Sequence, residues 1–195
     1  MPDPAPHTPD VLEPVERLAL AYADRQARVA WEALLLLQHR LEDAARPGRD
    51  PLMIQLRLAW WRDRLAEPAE RRPKGEPLLV RLAGWSAEAP ALIGLVDGWE
   101  AKVVGEDGGA ALAEATIAAY EALGRLVGEK DAKAVRVTAE RLLQPIAYRQ
   151  TLPKLSRRMR PLSVLGAHAE RVTQGEATRP WASFAALLRI GLLGR

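Results

Sequence analysis

The acidic residues that could hold a metal ion stand close to a helix end. Glu42 and Asp43 are adjacent, and Arg46 occupies position i+4 from Glu42. Helical enzymes hold Mg²⁺ for diphosphate chemistry with carboxylates that lie one turn apart on the same helix face. A cation at that position repels the metal ion, and adjacent residues point in different directions around a helix. We therefore expect no metal site and no catalytic residue, with Glu42 and Asp43 as vestigial metal candidates or as parts of an ordinary helix end.

The remaining closely spaced acids are Asp97 and Glu100, with Lys102 nearby. This i, i+3 pattern is typical of a solvated helix face, and no second acid-rich helix follows that would complete a metal cage. The chain has no Cys, which excludes disulfides, thiolate metal sites and cysteine nucleophiles. Its three His are scattered without metal-ligand spacing, and residues 105–109 lack the lysine of a phosphate-binding loop.

Two adjacent tryptophans are the second feature of interest. On a helix, Trp60 and Trp61 leave the axis about 100° apart. Trp61 falls in an apolar row, whereas Trp60 shares a side with Arg57 and Arg64. A tryptophan beside an arginine can line a pocket, a membrane interface or a partner groove. Core packing alone is the alternative, and Arg57, Trp60 and Trp61 are our candidate binding residues.

A basic stretch lies late in the chain, between residues 149 and 160. It contains five bases and no acid: Arg149, Lys154, Arg157, Arg158 and Arg160. Such a stretch can meet a diphosphate, lipid headgroups or an acidic partner, and a solvated helix face is the alternative. Arg157 and Arg158 are therefore added to the candidate binding residues. We expect no nucleic-acid binding, because no recognised motif or aromatic-studded basic sheet accompanies the bases.

The composition predicts the fold class. Ala, Leu and Arg are present in 34, 30 and 23 copies, and β-branched and aromatic residues are few. Since the first three are strong helix formers and strands favour the others, we expect an all-α fold. A chain of this length predicts one domain. We assign residues 1–13 to a disordered N-terminal lead and residues 14–195 to the helical domain.

Caps and helix breakers place the helices along the chain. Asp10 with Glu13 resembles a capping box and starts a short helix that ends near residue 22. Asp24 caps a helix that ends near residue 44, and Asp50 with Pro51 opens the next one. The apolar row of that third helix is Ile54, Leu58, Trp61 and Leu65. Further helices are predicted at 77–85, 87–104, 110–127, 132–143, 161–172 and 180–192.

The sequence shows no unbroken apolar run long enough to span a bilayer, so we expect no transmembrane segment. The first ten residues contain acids and prolines rather than a basic region followed by an apolar one, which is unlike a secretory signal. We expect a cytoplasmic protein. Peripheral contact with a membrane surface remains an alternative that the sequence does not exclude.

Residues 51–65 resemble the squalene/phytoene synthase family, which carries a helix reading much like R-L-x-W-W-R-D-x-L. The matching positions are Arg57, Leu58, Trp60, Trp61, Arg62, Asp63 and Leu65. Residues 42–46 then fall where that family carries its first Asp-rich motif, with Arg46 in place of the last aspartate. Looser similarity covers most of the chain from about residue 15. The resemblance implies a shortened helical domain of isoprenoid-synthase type.

The departures from the family pattern bear on activity. The second acidic helix has no counterpart, and its place holds Arg136, Glu140 and Arg141. Active members are longer and condense two prenyl diphosphates with Mg²⁺ held on both acidic helices. The resemblance therefore implies a degenerate member of the family. It also implies a parallel with a family branch that assists the assembly of a respiratory complex without evident synthase activity.

Three functions follow as hypotheses. The first is a non-catalytic protein that binds an isoprenoid, another lipid or a partner protein, and uses no cofactor. The second is a prenyl diphosphate transferase with a reduced acidic site, which would use Mg²⁺ at Glu42 and Asp43. The third is a structural interaction protein with a filled core.

Overall fold

In the computed structural model, residues 10–105, 107–145, 153–173 and 189–191 are described, and they form helices, turns and bends without a strand. The prediction of an all-α fold is confirmed for this part of the chain. The helices here are α1 (Pro14–Ala21), α2 (Arg25–Ala44), α3 (Pro51–Ala66), α4 (Pro77–Arg81), α5 (Ala89–Val104), α6 (Ala110–Val127), α7 (Ala132–Leu143) and α8 (Arg160–Thr173). Two 3₁₀ segments, Ala69–Arg71 and Leu82–Glu88, complete the described elements.

Aspartate N-caps mark the starts of α2 and α3, as predicted. The Asp24 carboxylate accepts a hydrogen bond from the Ala27 amide at 2.8 Å. The Asp50 carboxylate accepts from the amides of Leu52 at 2.9 Å and Met53 at 3.2 Å. Each aspartate satisfies amides that the first turn of a helix leaves without intrahelical partners.

Three predicted helices differ from the structure in their cap, their type or their first residue, and a fourth is largely untested. The cap of α1 is Glu13, which forms a capping box with Glu16, whereas Asp10 forms an ion pair with Arg40 at 2.7 Å. The helix predicted at 77–85 is α4 followed by a 3₁₀ segment, and α5 begins at Ala89, next to Pro90. The helix predicted at 180–192 lies outside the described residues except for 189–191.

The chain divides into two compact units. Unit 1 consists of Met1–Leu12 and Glu32–Ala115, and unit 2 consists of Glu13–Trp31 and Thr116–Arg195. The chain passes from one to the other before α1, between Leu12 and Glu13, and again within α2 and within α6. The single domain predicted for residues 14–195 stays a prediction, and residues 1–9 of the predicted lead lie outside the described residues.

In unit 1, α3 packs against α5. The predicted apolar row of α3 is buried, with Leu58 and Leu65 almost without solvent contact. On α5, Leu92, Leu95 and Val96 are buried as well. Burial of these apolar side chains is the main driving force that holds the two helices together.

Arg72 joins the end of α3 to the 3₁₀ segment after α4. Its side chain is buried and donates to the main-chain carbonyls of Glu67 at 3.0 Å, Leu65 at 3.0 Å and Leu82 at 3.3 Å. Burial lowers the pKa of the guanidinium, because it removes the charged form from water. The carbonyls replace that water, and two of them, of Leu65 in the last turn and of the C-cap residue Glu67, lie at the end of α3, where orphan acceptors are expected.

In unit 2, α8 packs against both α1 and α7. Seven consecutive residues of α8, from Pro161 to Ala167, are buried, so this helix is enclosed on more than one side. Between α7 and α8, Arg141 forms an ion pair with Glu170 at 3.4 Å. Trp31 is buried beside Tyr120, with the ring centroids 5.7 Å apart. These contacts give unit 2 an apolar interior of its own.

One helical stretch among the described residues, Pro77–Val104, is long and apolar enough to cross a membrane by length and composition. The core helix of a soluble protein passes the same test, and 33% of the most apolar window is buried in the structure. The stretch contains α4, a 3₁₀ segment and α5, and α5 contributes to the interior of unit 1. The absence of a transmembrane segment therefore stays a prediction.

Candidate functional site: a groove beside α3

An open groove of about 480 Å³ lies in unit 1, between the last turns of α2, the middle of α3 and the start of α4. Its lining consists of Arg40, Asp43, Ala44, Leu56, Arg57, Trp60, Trp61 and Glu76. The volume is in the range of small-molecule sites, and the lining combines apolar side chains with a few polar ones, as such sites do. The groove is the candidate functional site.

Three of the five candidate binding residues line this groove. Arg57, Trp60 and Trp61 all reach it because the two tryptophans follow Arg57 by three and four residues, which places them one helical turn along α3 from the arginine. Trp61 is 6% exposed and Trp60 is 40% exposed. The two rings meet edge to face, with centroids 5.1 Å apart and planes at 83°. Trp61 is thus anchored in the core and also supports the wall that Trp60 presents to the groove.

Arg57 is the exposed cation of the groove. Its guanidinium has no hydrogen bond or ion pair with the described residues. An exposed guanidinium is still hydrated, so an anion that binds it does not have to break an existing ion pair. Arg57 is therefore available to an anionic group.

Arg40 is the second cation of the groove, and it lies deeper. Its Nη2 atom is 2.7 Å from Asp10 and 3.7 Å from Glu76. Its Nε atom is buried without a hydrogen-bond partner. A buried donor without a partner costs free energy, so this arginine has unused capacity to donate. Neither Arg40 nor Glu76 was a candidate from the sequence, although Arg40, Asp43 and Ala44 have the i, i+3, i+4 spacing of one helix face.

The two vestigial metal candidates do not act together. Asp43 lines the groove, and its carboxylate pairs with Arg46 at 2.8 Å and with Arg49 at 2.9 Å. Glu42 is exposed and is not part of the groove lining. The described residues contain no group of three or more His, Asp and Glu that could hold a metal ion. Because two guanidinium groups neutralise Asp43, this donor set does not fit the Mg²⁺ that the family resemblance implies.

The residues that the resemblance places opposite the family's second acidic helix also form ion pairs. In unit 2, Arg136 lies 3.0 Å from Glu140 and 3.5 Å from Glu121. Arg141 pairs with Glu170 as described above. These charges link α7 to its neighbours within the unit.

Arg157 and Arg158, the other two candidate binding residues, belong to unit 2 and do not line the groove. Arg158 donates to the Val127 carbonyl at 2.8 Å and pairs with Asp24 at 3.0 Å. Its side chain is thus engaged inside its own unit. Arg157 is exposed and has no hydrogen bond or ion pair with the described residues.

Asp97 and Glu100 were expected on a solvated face, and they remain partly exposed, but they share a partner on another helix. Arg62 of α3 donates to Asp97 at 2.7 Å and also to Glu100. These hydrogen bonds, to Glu100 first and then to Asp97, raise the pKa of Arg62. Lys102 instead lies 4.6 Å above the ring of Trp99. The acids therefore help to hold α5 against α3.

No family model, curated protein or solved structure matches this chain. The resemblance of α3 to the squalene/phytoene synthases consequently stays a prediction that rests on the residues themselves.

Proposed function

We propose that this protein binds an isoprenoid or another lipid with an anionic head group in the groove beside α3, without converting it. The observation that carries the proposal is the meeting of Arg57, which has no partner among the described residues, with the exposed ring of Trp60 in one groove. An amphiphile needs both surfaces, because its head requires a cation and its chain requires an apolar wall.

Different residues of the groove lining would hold the tail and the head group of such a ligand. Leu56, Trp60 and Trp61 provide a continuous apolar wall on α3, and burying a chain against it releases water from both surfaces. Arg57 provides a planar guanidinium, which matches phosphate and carboxylate geometry. Arg40 adds a second positive charge at the α2 side of the groove. A diphosphate or phosphate bound there is held by charge, and its tail is held by the tryptophans.

The absence of conversion is inferred from the state of Asp43. Prenyl transfer in the family that α3 resembles requires carboxylates that are free to bind Mg²⁺. Here Arg46 and Arg49 neutralise Asp43, and Glu42 is not part of the groove lining. In this proposal the chain is a shortened, degenerate member of the squalene/phytoene synthase family with a fold of isoprenoid-synthase type. The alternative, a Mg²⁺-dependent prenyl diphosphate transferase, would require Asp43 to leave both arginines.

A thermal-shift titration tests the proposal. Farnesyl diphosphate is compared with its two halves, farnesol and pyrophosphate, since only ligands that prefer the native state raise the melting temperature. We expect the whole molecule to stabilise the protein more than either half. Arg57→Gln should weaken the binding of farnesyl diphosphate about tenfold and leave the binding of farnesol unchanged. Trp60→Ala should weaken the binding of both ligands.

Arg157→Gln is the matched control, because it removes another exposed and unpaired arginine, in unit 2. We expect it to leave the titration unchanged. If farnesyl diphosphate gives no shift, or if the two arginine variants behave alike, the proposed ligand or its site is wrong. The same protein is incubated with farnesyl diphosphate and Mg²⁺. Pyrophosphate release that disappears in Glu42→Gln would establish the transferase instead.

A further inference from the structure

Helix α3 is apolar on two faces. One face is the buried row already described, which packs against α5. The other carries four large apolar side chains that are exposed: Leu52, Met53, Leu56 and Trp60. Leu52 and Leu56 are 62% and 55% exposed. An amphipathic helix at the surface of a globular unit normally has polar residues here, so this second face calls for an explanation.

The exposed side chains form one row, which we call the outer row of α3. Leu52, Leu56 and Trp60 are spaced four residues apart, and Met53 lies beside them. At 1.5 Å per residue the row is about 12 Å long. Scattered exposed hydrophobic residues are normal, whereas a contiguous apolar patch marks an interaction surface. The row ends after Trp60, because Asp63 follows on the same side of the helix.

Arg57 lies at the border of the outer row, three residues before Trp60 and four after Met53. It is exposed and unpaired within the described residues, and the chain as a whole carries a net charge of +3. Tryptophan and arginine at the border of an apolar face are the residues that settle at the level of lipid head groups. Their charge complements an anionic membrane and adds to the insertion of the apolar side chains.

We propose that the outer row of α3 docks onto the surface of an anionic lipid bilayer. Leu52, Met53 and Leu56 enter the boundary between head groups and acyl chains, and Arg57 pairs with lipid phosphate. A protein partner would need a broad surface, since stable interfaces bury about 800 Å² on each side. A row two turns long on one helix is narrow for that purpose, but it suffices for interfacial insertion of a few side chains.

The docking surface adjoins the groove, because Leu56 and Trp60 belong to both. A ligand with a lipid tail could therefore pass between the bilayer and the groove along α3. The docking proposal itself rests on the exposure and charge of α3, and it holds whether or not the groove takes the proposed ligand.

Co-sedimentation with vesicles tests the docking. The full chain is mixed with phosphatidylcholine vesicles that contain roughly one-third phosphatidylserine, and with pure phosphatidylcholine vesicles. We expect stronger binding to the anionic vesicles and a loss of that difference at high salt. Leu52→Glu and Leu56→Glu should each weaken binding at least about tenfold, and Arg57→Gln should reduce only the preference for anionic lipid.

Val29→Glu is the matched control, since Val29 is 59% exposed on α2 and lies outside the outer row. It should bind vesicles like the unchanged protein. The proposal is overturned if the unchanged protein does not sediment with anionic vesicles, or if Val29→Glu and Leu56→Glu have equal effects. It is also overturned if sedimentation velocity shows a dimer that Leu56→Glu dissociates, because the row would then be the contact between two copies.

Leu52→Glu separates this proposal from the proposed function. Leu52 is not part of the groove lining. If the outer row docks as proposed, this variant keeps its thermal shift with farnesyl diphosphate in the absence of vesicles. It should bind vesicles at least about tenfold more weakly than the unchanged protein. If the groove proposal alone fails, the unchanged protein shows no thermal shift but still sediments with anionic vesicles.

Discussion

The indole Nε1 of Trp31 donates a hydrogen bond to the main-chain carbonyl of Arg158 at 2.9 Å, although the two residues are 127 positions apart. The side chain of Arg158 continues the network, since it pairs with Asp24 and donates to the carbonyl of Val127. One residue thereby connects the start of α2, the end of α6 and the segment before α8 within unit 2. These contacts give the side chain of Arg158 a structural role, and the binding role predicted for it stays a prediction.

Arg158→Ala should lower the free energy of unfolding by about 1–2 kcal/mol, because it removes two hydrogen bonds that involve a charged group. The value is discounted because the side chains of Arg158 and Asp24 are 47% and 34% exposed. Urea unfolding of the variant and the unchanged protein gives the difference. Arg157→Ala is the control and should have almost no effect. Equal losses for the two arginines would show that general charge, and not this network, is involved.

A second prediction concerns Glu129, in the turn between α6 and α7. Its carboxylate accepts hydrogen bonds from the amides of Ser156 at 2.9 Å and Lys130 at 2.8 Å, and a longer one from Asp131. Burial opposes ionisation of Glu129, but the hydrogen bonds from Ser156, Asp131 and Lys130 outweigh it and lower the pKa of Glu129 below its ordinary 4.5. The turn therefore binds the segment before α8 through an ionised carboxylate.

The pH dependence of stability follows from that lowered pKa. Between the folded pKa and 4.5 the unfolded chain binds more protons at Glu129 than the native one does, so stability rises with pH in that window. The contribution is complete above pH 4.5 and is lost as the pH falls through the folded pKa. Urea midpoints measured from neutral to acidic pH should fall less steeply for Glu129→Gln. Glu42→Gln, which alters an exposed and unpaired glutamate, should keep the original slope.

Arg72 provides a third prediction. Arg72→Ala should lower the free energy of unfolding by about 2–4 kcal/mol, because it leaves a cavity and removes the donor from three main-chain carbonyls, two of them in buried hydrogen bonds. The neighbouring Arg71 is exposed, and Arg71→Ala should change stability by less than about 0.5 kcal/mol. Chemical denaturation of both variants provides the comparison. A small loss for Arg72→Ala would mean that water satisfies these carbonyls as well as the guanidinium does.

The parts of the fold that the sequence predicts are those fixed by neighbours along the chain. The caps at Asp24 and Asp50 involve amides two or three residues away, and the buried row of α3 follows from helical periodicity. Trp60 and Trp61 were assigned to different sides for the same reason. These features depend on backbone geometry alone, which is nearly independent of the rest of the fold.

The remaining features depend on partners that are distant in the sequence. Arg62 meets Glu100 across 38 positions, and Arg40 meets Glu76 only because α4 begins beside α2. Charged residues are common on every helix, so one sequence offers many equivalent pairings and no rule for choosing between them. The groove could therefore be predicted on its α3 side, from Arg57 and the tryptophans, but not on its α2 side.

A close approach of α5 to α6 in unit 1 gives the fourth prediction. Gly98 of α5 is buried, and a Cβ atom placed on it would lie 2.8 Å from the Cα atom of Leu112 and 3.2 Å from the Cβ atom of Ala115, both on α6. Since the nearest atom belongs to the backbone, a side-chain rotation cannot relieve the clash. Gly98→Ala should therefore separate α5 from α6 and lower the free energy of unfolding by about 1–3 kcal/mol.

Gly94, one turn earlier on the same helix, provides the matched control for Gly98. A Cβ atom placed there meets no atom within 4 Å. Gly94→Ala should raise the free energy of unfolding by about 0.5–1 kcal/mol, because alanine has the better helix propensity and no clash opposes it. Thermal or urea unfolding of the two variants should thus give changes of opposite sign. If Gly98→Ala were also stabilising, helix propensity would outweigh the contact, and the close approach of α5 to α6 would be wrong.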